Sequence, residues 1–183
     1  MIFEEKKITL KNGINAVLKT PEAKDAKTLL DNVKITAVET DFFSRTIEDW
    51  ESFTVEDEEK WIKNIRESDN SLVITCFING EAAGNCDITF KSGSKTSHRA
   101  TVGIAIQKKY WNIGIGSAMF EELIKAAKEH TGTEIVDLEM IEGNNRAKAL
   151  YEKFGFEIVC VKPNFFKTKD GTYHNLVYMQ KVL

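Results

Sequence analysis

The stretch SLVITCFINGEAAGNCDITF (Ser71–Phe90) restricts the architecture more than any other part of the chain. A run rich in Val, Ile and Phe meets a second run, of mostly small residues ending in Ile88 and Phe90, at Asn79–Gly80, and an Asn-Gly pair accepts the left-handed backbone that a type I′ turn needs at both central positions. The segment predicts an antiparallel hairpin, so the fold must contain a sheet. A second Asn-Gly, Asn12–Gly13 within ITLKNGINAVLKT (Ile8–Thr20), predicts another strand pair. Elsewhere the apolar period changes. After Pro21, residues Ala26, Leu29, Leu30 and Val33 follow a helical stripe. Thr54 with Asp57 has the pattern of a capping box, opening a helix in which Trp61, Ile62 and Ile65 are apolar. Phe120, Leu123, Ile124 and Ala127 trace a third helical face. Ala147, Leu150, Tyr151 and Phe154 trace a fourth, with Gly155 as its left-handed stop. Further strands are expected at Ala100–Gln107, Glu134–Ile141, Phe156–Lys162 and Tyr173–Val182, the last two flanking a Pro-Asn-containing loop. Strands alternating with helices, antiparallel pairs first, predict a mixed α/β layer rather than a pure Rossmann sheet. One domain over residues 1–183 is expected, with neither repeats nor a low-complexity linker.

Charge and cysteine usage narrow the function classes. A net charge of −3, from 25 basic and 28 acidic residues, gives no general affinity for nucleic acid. The three cysteines (Cys76, Cys86, Cys160) form no CxxC, and the three histidines (His98, His130, His174) lack ligand spacing, so no metal site is expected. No apolar run is long enough to span a bilayer, and MIFEEKKITLKNG lacks the plan of a signal peptide. A cytoplasmic, reducing location without membrane attachment is the expectation.

The sequence YWNIGIGSAMFEELIKAAKE (Tyr110–Glu129) places Gly114 and Gly116 between a strand and an amphipathic helix. A helix N-terminus leaves about four backbone N–H groups unpaired and carries partial positive charge, so it suits an anion. Glycine there lets a phosphate approach the amides. A Rossmann turn would need a third glycine where Met119 stands, and a Walker A loop would need Gly-Lys-Ser/Thr. What remains is a diphosphate held by amides without a lysine or a metal, or a tight turn with no ligand at all.

Two motifs, taken together, resemble those of the GCN5-related N-acetyltransferases, the acetyl-CoA-dependent GNAT superfamily. The family's pyrophosphate loop, Gln/Arg-x-x-Gly-x-Gly/Ala, is met by Trp111-Asn112-Ile113-Gly114-Ile115-Gly116, with Trp111 where Gln or Arg is usual. A Tyr-Trp pair before the loop is similar to the ribosomal-protein-acetyltransferase-like branch. The second motif, Asn-x-x-Ala-x-x-Leu-Tyr-x-x-x-Gly-Phe, is met by Asn144, Ala147, Leu150, Tyr151, Gly155 and Phe156. The resemblance implies a twisted, mostly antiparallel mixed sheet with flanking helices, whose central parallel pair, Ala100–Gln107 and Glu134–Ile141, splays apart. It implies acetyl-CoA as cosubstrate and no metal. Backbone groups of Ile104, Ala105 and Ile106 would pair with the pantetheine arm as though it were a strand. Asn112, Ile113, Gly114, Ile115, Gly116 and Ser117 would hold the diphosphate, and Asn144 would hydrogen-bond the cofactor.

Acetyl transfer to an amine needs a neutral nucleophile, yet a free alkylammonium has a pKa of about 10.4. The site must accept a proton, stabilise an oxyanion and protonate a leaving thiolate. By the family motif Tyr151 is the acid, although its helical face also fits a packed core tyrosine. Glu139, twelve residues before Tyr151 as in bacterial ribosomal-protein N-terminal acetyltransferases, is the proposed base; a solvated strand carboxylate with an ordered water as base is the other reading. The segment ETDFFSRTIEDWESFTVEDEEKW (Glu39–Trp61) is acidic and aromatic. By the resemblance it would border the acceptor cleft, where negative charge would steer a cationic acceptor; a solvated helical face with Phe42, Phe43, Trp50 and Phe53 in the core is the plainer alternative. The acceptor is expected to be a small-molecule or peptide amine. The resemblance also admits a homodimer, and a non-catalytic acyl-CoA-binding regulatory module is the alternative function.

Overall fold

The computed structural model describes Met1–Leu183. Eight strands form one sheet in the order β1-β2-β3-β4-β5-β6-β8-β7: β1 Lys6–Thr9, β2 Asn15–Lys19, β3 Ser71–Ile78, β4 Glu81–Phe90, β5 Arg99–Ile106, β6 Ile135–Ile141, β7 Glu157–Lys167 and β8 Tyr173–Val182. Five helices accompany it: α1 Ala26–Glu39, α2 Glu48–Glu51, α3 Val55–Glu67, α4 Ile115–Glu129 and α5 Asn145–Lys153. All neighbours pair antiparallel except β5 and β6.

Local chemistry accounts for the boundaries. Asn79 (φ 51°) and Gly80 (φ 84°) both take the left-handed conformation, so the β3–β4 turn forms as expected. At the other Asn-Gly only Gly13 is left-handed, and β1 and β2 are joined by the longer loop Leu10–Ile14. Thr54 Oγ1 accepts from the Asp57 N–H at 3.2 Å while Asp57 Oδ2 accepts from the Thr54 N–H at 3.1 Å, completing the capping box of α3. Gly155, at φ 81°, ends α5. One expectation fails. Pro163–Asn164 does not lie in a loop between β7 and β8 but inside β7, where the register slips between Lys162 and Phe166 and Asn164 turns to φ 54°. β7 is the sheet's edge, so a proline there costs no ladder bond.

Alternate residues of the sheet feed two helical layers. On one face Leu72, Ile74, Cys76, Cys86, Ile88, Val102, Val136 and Leu138 pack with Ile115, Met119, Phe120 and Leu123 of α4. On the other, Phe77 and Ala82 meet Ala26 and Leu29 of α1 and Ile62 of α3. The parallel pair is short. Arg99, Ala100 and Thr101 pair with Ile135, Val136 and Asp137, and pairing stops there. Beyond it, Val102–Ile106 and Leu138–Ile141 diverge, and the sheet opens at its centre. Arg99 fastens the closed end, its Nε 2.8 Å from Asp137 Oδ2. Asp137 is thereby buried as a structural anchor.

Candidate functional site

The opening between β5 and β6 leads into a cleft of about 1080 Å³ that reaches both helical layers. Its walls carry Tyr151, Glu139, Asn144, Ile104, Ala105 and Ile106, together with Asn112 and Gly114–Ser117. Residues from four separate parts of the sequence are therefore brought into one cavity. Ile113 is not among the lining residues. Its side chain packs on the α4-side core, and its carbonyl accepts from the Lys11 N–H at 3.0 Å.

The loop before α4 is shaped as an amide cradle. Asn112 (φ 65°) and Gly114 (φ 102°) are left-handed on either side of Ile113, and successive N–H groups in such a bend form a concave donor surface. The first N–H of the loop–helix junction with an acceptor in the chain is that of Ala118, bonded to the Gly114 carbonyl; those of Asn112 through Ser117 donate to none. The two glycines have different causes. Gly114 needs its positive φ, whereas a Cβ on Gly116 would lie 3.2 Å from Leu150 Cδ2 and 3.4 Å from Ile106 Cδ1. Three cations surround this end. Lys11 lays its side chain across Gly114, Lys153 Nζ donates to Ser117 Oγ at 2.9 Å, and the Arg146 guanidinium sits 3.1 Å from the Trp111 ring centroid. Chain folding thus delivers basic side chains to this loop from the β1–β2 loop and from α5, neighbours that the local sequence does not show.

Strand alternation decides which backbone groups face the opening. Gln107 N donates to Ala83 O, and in the β4–β5 register the same parity makes Ala105 bond with Asn85. Ala105 therefore spends its backbone groups on β4, contrary to expectation. Those of Ile104 and Ile106 point toward the gap. The Ile106 carbonyl is already engaged, accepting from Trp111 Nε1 at 2.7 Å. Trp111, in the position where Gln or Arg is usual, thus ties the glycine loop to the end of β5. Asn144 is also partly committed. Its Oδ1 accepts from the Ala147 N–H at 3.2 Å as the N-cap of α5, leaving its amide N–H₂ to the cleft.

Tyr151 is 6% exposed, with Phe120 at 5.3 Å and Phe156 at 6.3 Å between ring centroids. The packed-core reading is met, and the residue also lines the cleft. Burial pushes its pKa up to about 12, so the hydroxyl holds its proton. Glu139 is exposed and lies opposite Tyr178 in β8. Across the gap, Asp87 of β4 leans over Gly103, where a Cβ would meet Oδ1 at 2.9 Å. Burial raises Asp87 to about 6. Glu58 of α3 lines the cleft too, and burial raises it to about 7. Sequence reading singled out neither. For Glu58 the signal was present, because Val55, Glu58, Ile62 and Ile65 form one helical stripe with a carboxylate in an apolar place. Asp87 belongs to a buried strand whose parity required the register. Phe42, Phe43, Trp50, Phe53 and Trp61 complete this side. The β7–β8 connection reaches over it, where Lys169 contacts Glu48.

The profile of the Acetyltransferase (GNAT) family matches residues 35–156. The chain belongs to this family. Among relatives, it is 25% identical over 122 residues to the L-amino acid N-acetyltransferase AaaT of Escherichia coli, covering 67% of this chain and 75% of that one. It is 37% identical over 68 residues to the [ribosomal protein bS18]-alanine N-acetyltransferase of E. coli, covering 37% and 45%. The chain thus spans less than half the length of the second relative. A GNAT-family acetyltransferase structure from Streptococcus pneumoniae superposes with a TM-score of 0.84 at 30% identity, over 92% of this chain and 99% of that one. The yncA structure from Salmonella typhimurium, described with its cofactor acetyl-CoA, shares the fold at a TM-score of 0.77 and 15% identity, over 92% and 94%. This GNAT chain has three free cysteines and no group of three or more His, Cys, Asp or Glu suited to a metal ion. No helix is long and apolar enough to cross a membrane.

Proposed function

We propose that this GNAT-family acetyltransferase transfers an acetyl group from acetyl-CoA directly to a primary amine, both substrates being held in the cleft together. The observation that carries the reading is the joining, through the gap between β5 and β6, of an amide cradle flanked by Lys11, Arg146 and Lys153 to a chamber bearing Glu139, Asp87 and Tyr151. The cradle and its cations suit a diphosphate, and the Ile104 N–H and C=O with the Ile106 N–H suit an amide-containing arm laid along the strand. Bound there, acetyl-CoA supplies an activated thioester. The amine nitrogen bonds to the carbonyl carbon as the carbon–sulfur bond breaks. A carboxylate first takes one proton from the ammonium; once the nitrogen has bonded, the thiolate takes the proton of Tyr151 and the phenolate takes the second proton from the acetylated nitrogen, so that Tyr151 ends neutral, as its raised pKa favours.

Glu139, exposed to the cleft, is the proposed proton acceptor. Asp87 on the opposite wall is the second carboxylate within the chamber, and its pKa of about 6 lies near the working range of a base. The acceptor is a small-molecule or peptide amine, and the setting is a reducing, cytoplasmic one. A thiol-release assay across an amine panel tests the activity. Tyr151→Phe keeps the packing and removes the hydroxyl; turnover is expected to fall by more than about tenfold, that is, about 1.4 kcal/mol. A loss within about twofold removes the acid role. Glu139→Gln and Asp87→Asn, followed through pH–rate profiles, assign the base to whichever abolishes the acid limb. Binding of acetyl-CoA with no thiol release on any amine would leave a regulatory acyl-CoA-binding module instead.

A further inference from the structure

Glu58 is a carboxylate without a partner. It is 5% exposed, forms no ion pair or side-chain hydrogen bond, and opens into the cleft. Leaving a carboxylate in such a place costs stability unless a positive charge or donors meet it. A residue needed only for packing at this stripe position would be apolar, like Ile62 one turn later. The surroundings point to what meets it. Trp50, Phe53 and Trp61 line the same side of the cleft, and aromatic faces attract a cation through their quadrupoles. Trp50 Nε1 is itself buried without an acceptor.

The charges of the cleft are sorted by end. Lys11, Arg146 and Lys153 gather at the glycine loop, whereas Glu58, Asp87 and Glu139 lie on the sheet face shared with α1 and α3. Arg45 is the single cation lining that acceptor side, and its guanidinium rests over the Trp50 ring at 5.0 Å rather than on a carboxylate.

Building on the proposed transfer to an amine, we infer that the acceptor is a small aliphatic amine with a second positively charged nitrogen, which Glu58 and the aromatic side chains of Phe53 and Trp61 hold while the first nitrogen is acetylated. Two cationic nitrogens would answer two features at once. The reacting nitrogen delivers its proton in the chamber of Glu139 and Asp87, and the other stays charged against Glu58. An acceptor bearing an α-carboxylate would instead bring negative charge to three unpaired carboxylates and would depend on Arg45 alone. The class therefore consists of α,ω-diamines and longer polyamines.

Steady-state thiol release with cadaverine against n-pentylamine tests this, because the two differ only in the distal nitrogen. A series of diamines of increasing length, each paired with its monoamine, guards against a wrong spacing. For some pair the diamine is expected to exceed the monoamine in kcat/KM by at least about tenfold, mostly through KM. Glu58→Gln, nearly equal in shape, should collapse that ratio to within about twofold, chiefly by raising KM for the diamine. Equal rates on diamine and monoamine at every length overturn the inference, as does a preference that survives in Glu58→Gln. So does a preference for amino acids over their amides, which would assign recognition to Arg45. If no amine is turned over, the failure belongs to the proposed activity, and calorimetry of diamine with the CoA-saturated protein decides the recognition separately. Diamine binding lost in Glu58→Gln upholds it, and no binding overturns it.

Discussion

Single side chains show how the site trades one contact for another. Trp111 lies where the family uses Gln or Arg, and the structure gives the indole two tasks. Nε1 closes the free carbonyl of Ile106, and the ring carries the Arg146 guanidinium. A cation is thus brought to the glycine-loop end of the cleft from another element. Trp111→Phe retains a ring and deletes the donor. It is expected to lower stability by about 0.5–1.5 kcal/mol, the usual net value of one hydrogen bond, in urea denaturation. CoA affinity, read by calorimetry, should fall as well, because the loop loses its tie to β5. Unchanged stability and affinity would mean that the Ile106 carbonyl is met equally well by water and that the stacking alone matters.

The glycine loop and α4 form a unit whose two glycines answer to different constraints, and paired substitutions separate them. Gly114→Ala places a Cβ at φ 102°, where an L-residue is strained by about 1–2 kcal/mol, so denaturation should shift by that amount. Gly116→Ala meets only the flexible ends of Leu150 and Ile106, and alanine favours a helix over glycine by about 1 kcal/mol. Its stability should therefore change by less than about 1 kcal/mol in either direction. A larger loss at Gly116 than at Gly114 would show packing, not backbone conformation, to be the controlling constraint. Elements of this kind were legible in the sequence wherever local chemistry dictates geometry: the Asn79–Gly80 turn, the Thr54–Asp57 box, the helical stripes, the stop at Gly155. What could not be read depends on partners distant in the chain. The strand through Pro163 is permitted because β7 has one neighbour, and the rejection of Ala105 as an edge group rests on the parity set by Gln107 and Ala83. Lys11 reaches the cradle only because the β1–β2 loop folds against Ile113.

Across the whole molecule, a cleft that keeps carboxylates waiting for a ligand leaves a mark on the pH dependence of folding. Burial raises Glu58 from its ordinary 4.5 to about 7 and Asp87 from 3.8 to about 6. In both cases the folded state binds a proton more tightly than the unfolded chain. Stability therefore falls as pH rises through the interval between the unfolded and folded values, about 4 to about 7, and levels off above it. Glu48, beside Lys169, and Asp170, bonded to Thr168 and Thr172, are held down to about 2, so their contribution is present above their ordinary values and is lost in acid. The opposing trends place the stability maximum on the acid side of neutrality. Thermal melts should show the protein more stable near about pH 5 than near about pH 8. Glu58→Gln should raise the melting temperature at the higher pH and leave it unchanged at the lower, since the neutral amide costs what the protonated acid costs. A diamine should do the same to the unmodified protein by supplying the missing charge, and do nothing to the variant. A variant no more stable than the parent near pH 8 would mean that water already solvates the Glu58 carboxylate through the cleft mouth, and the case for a resident second nitrogen would lose its energetic footing.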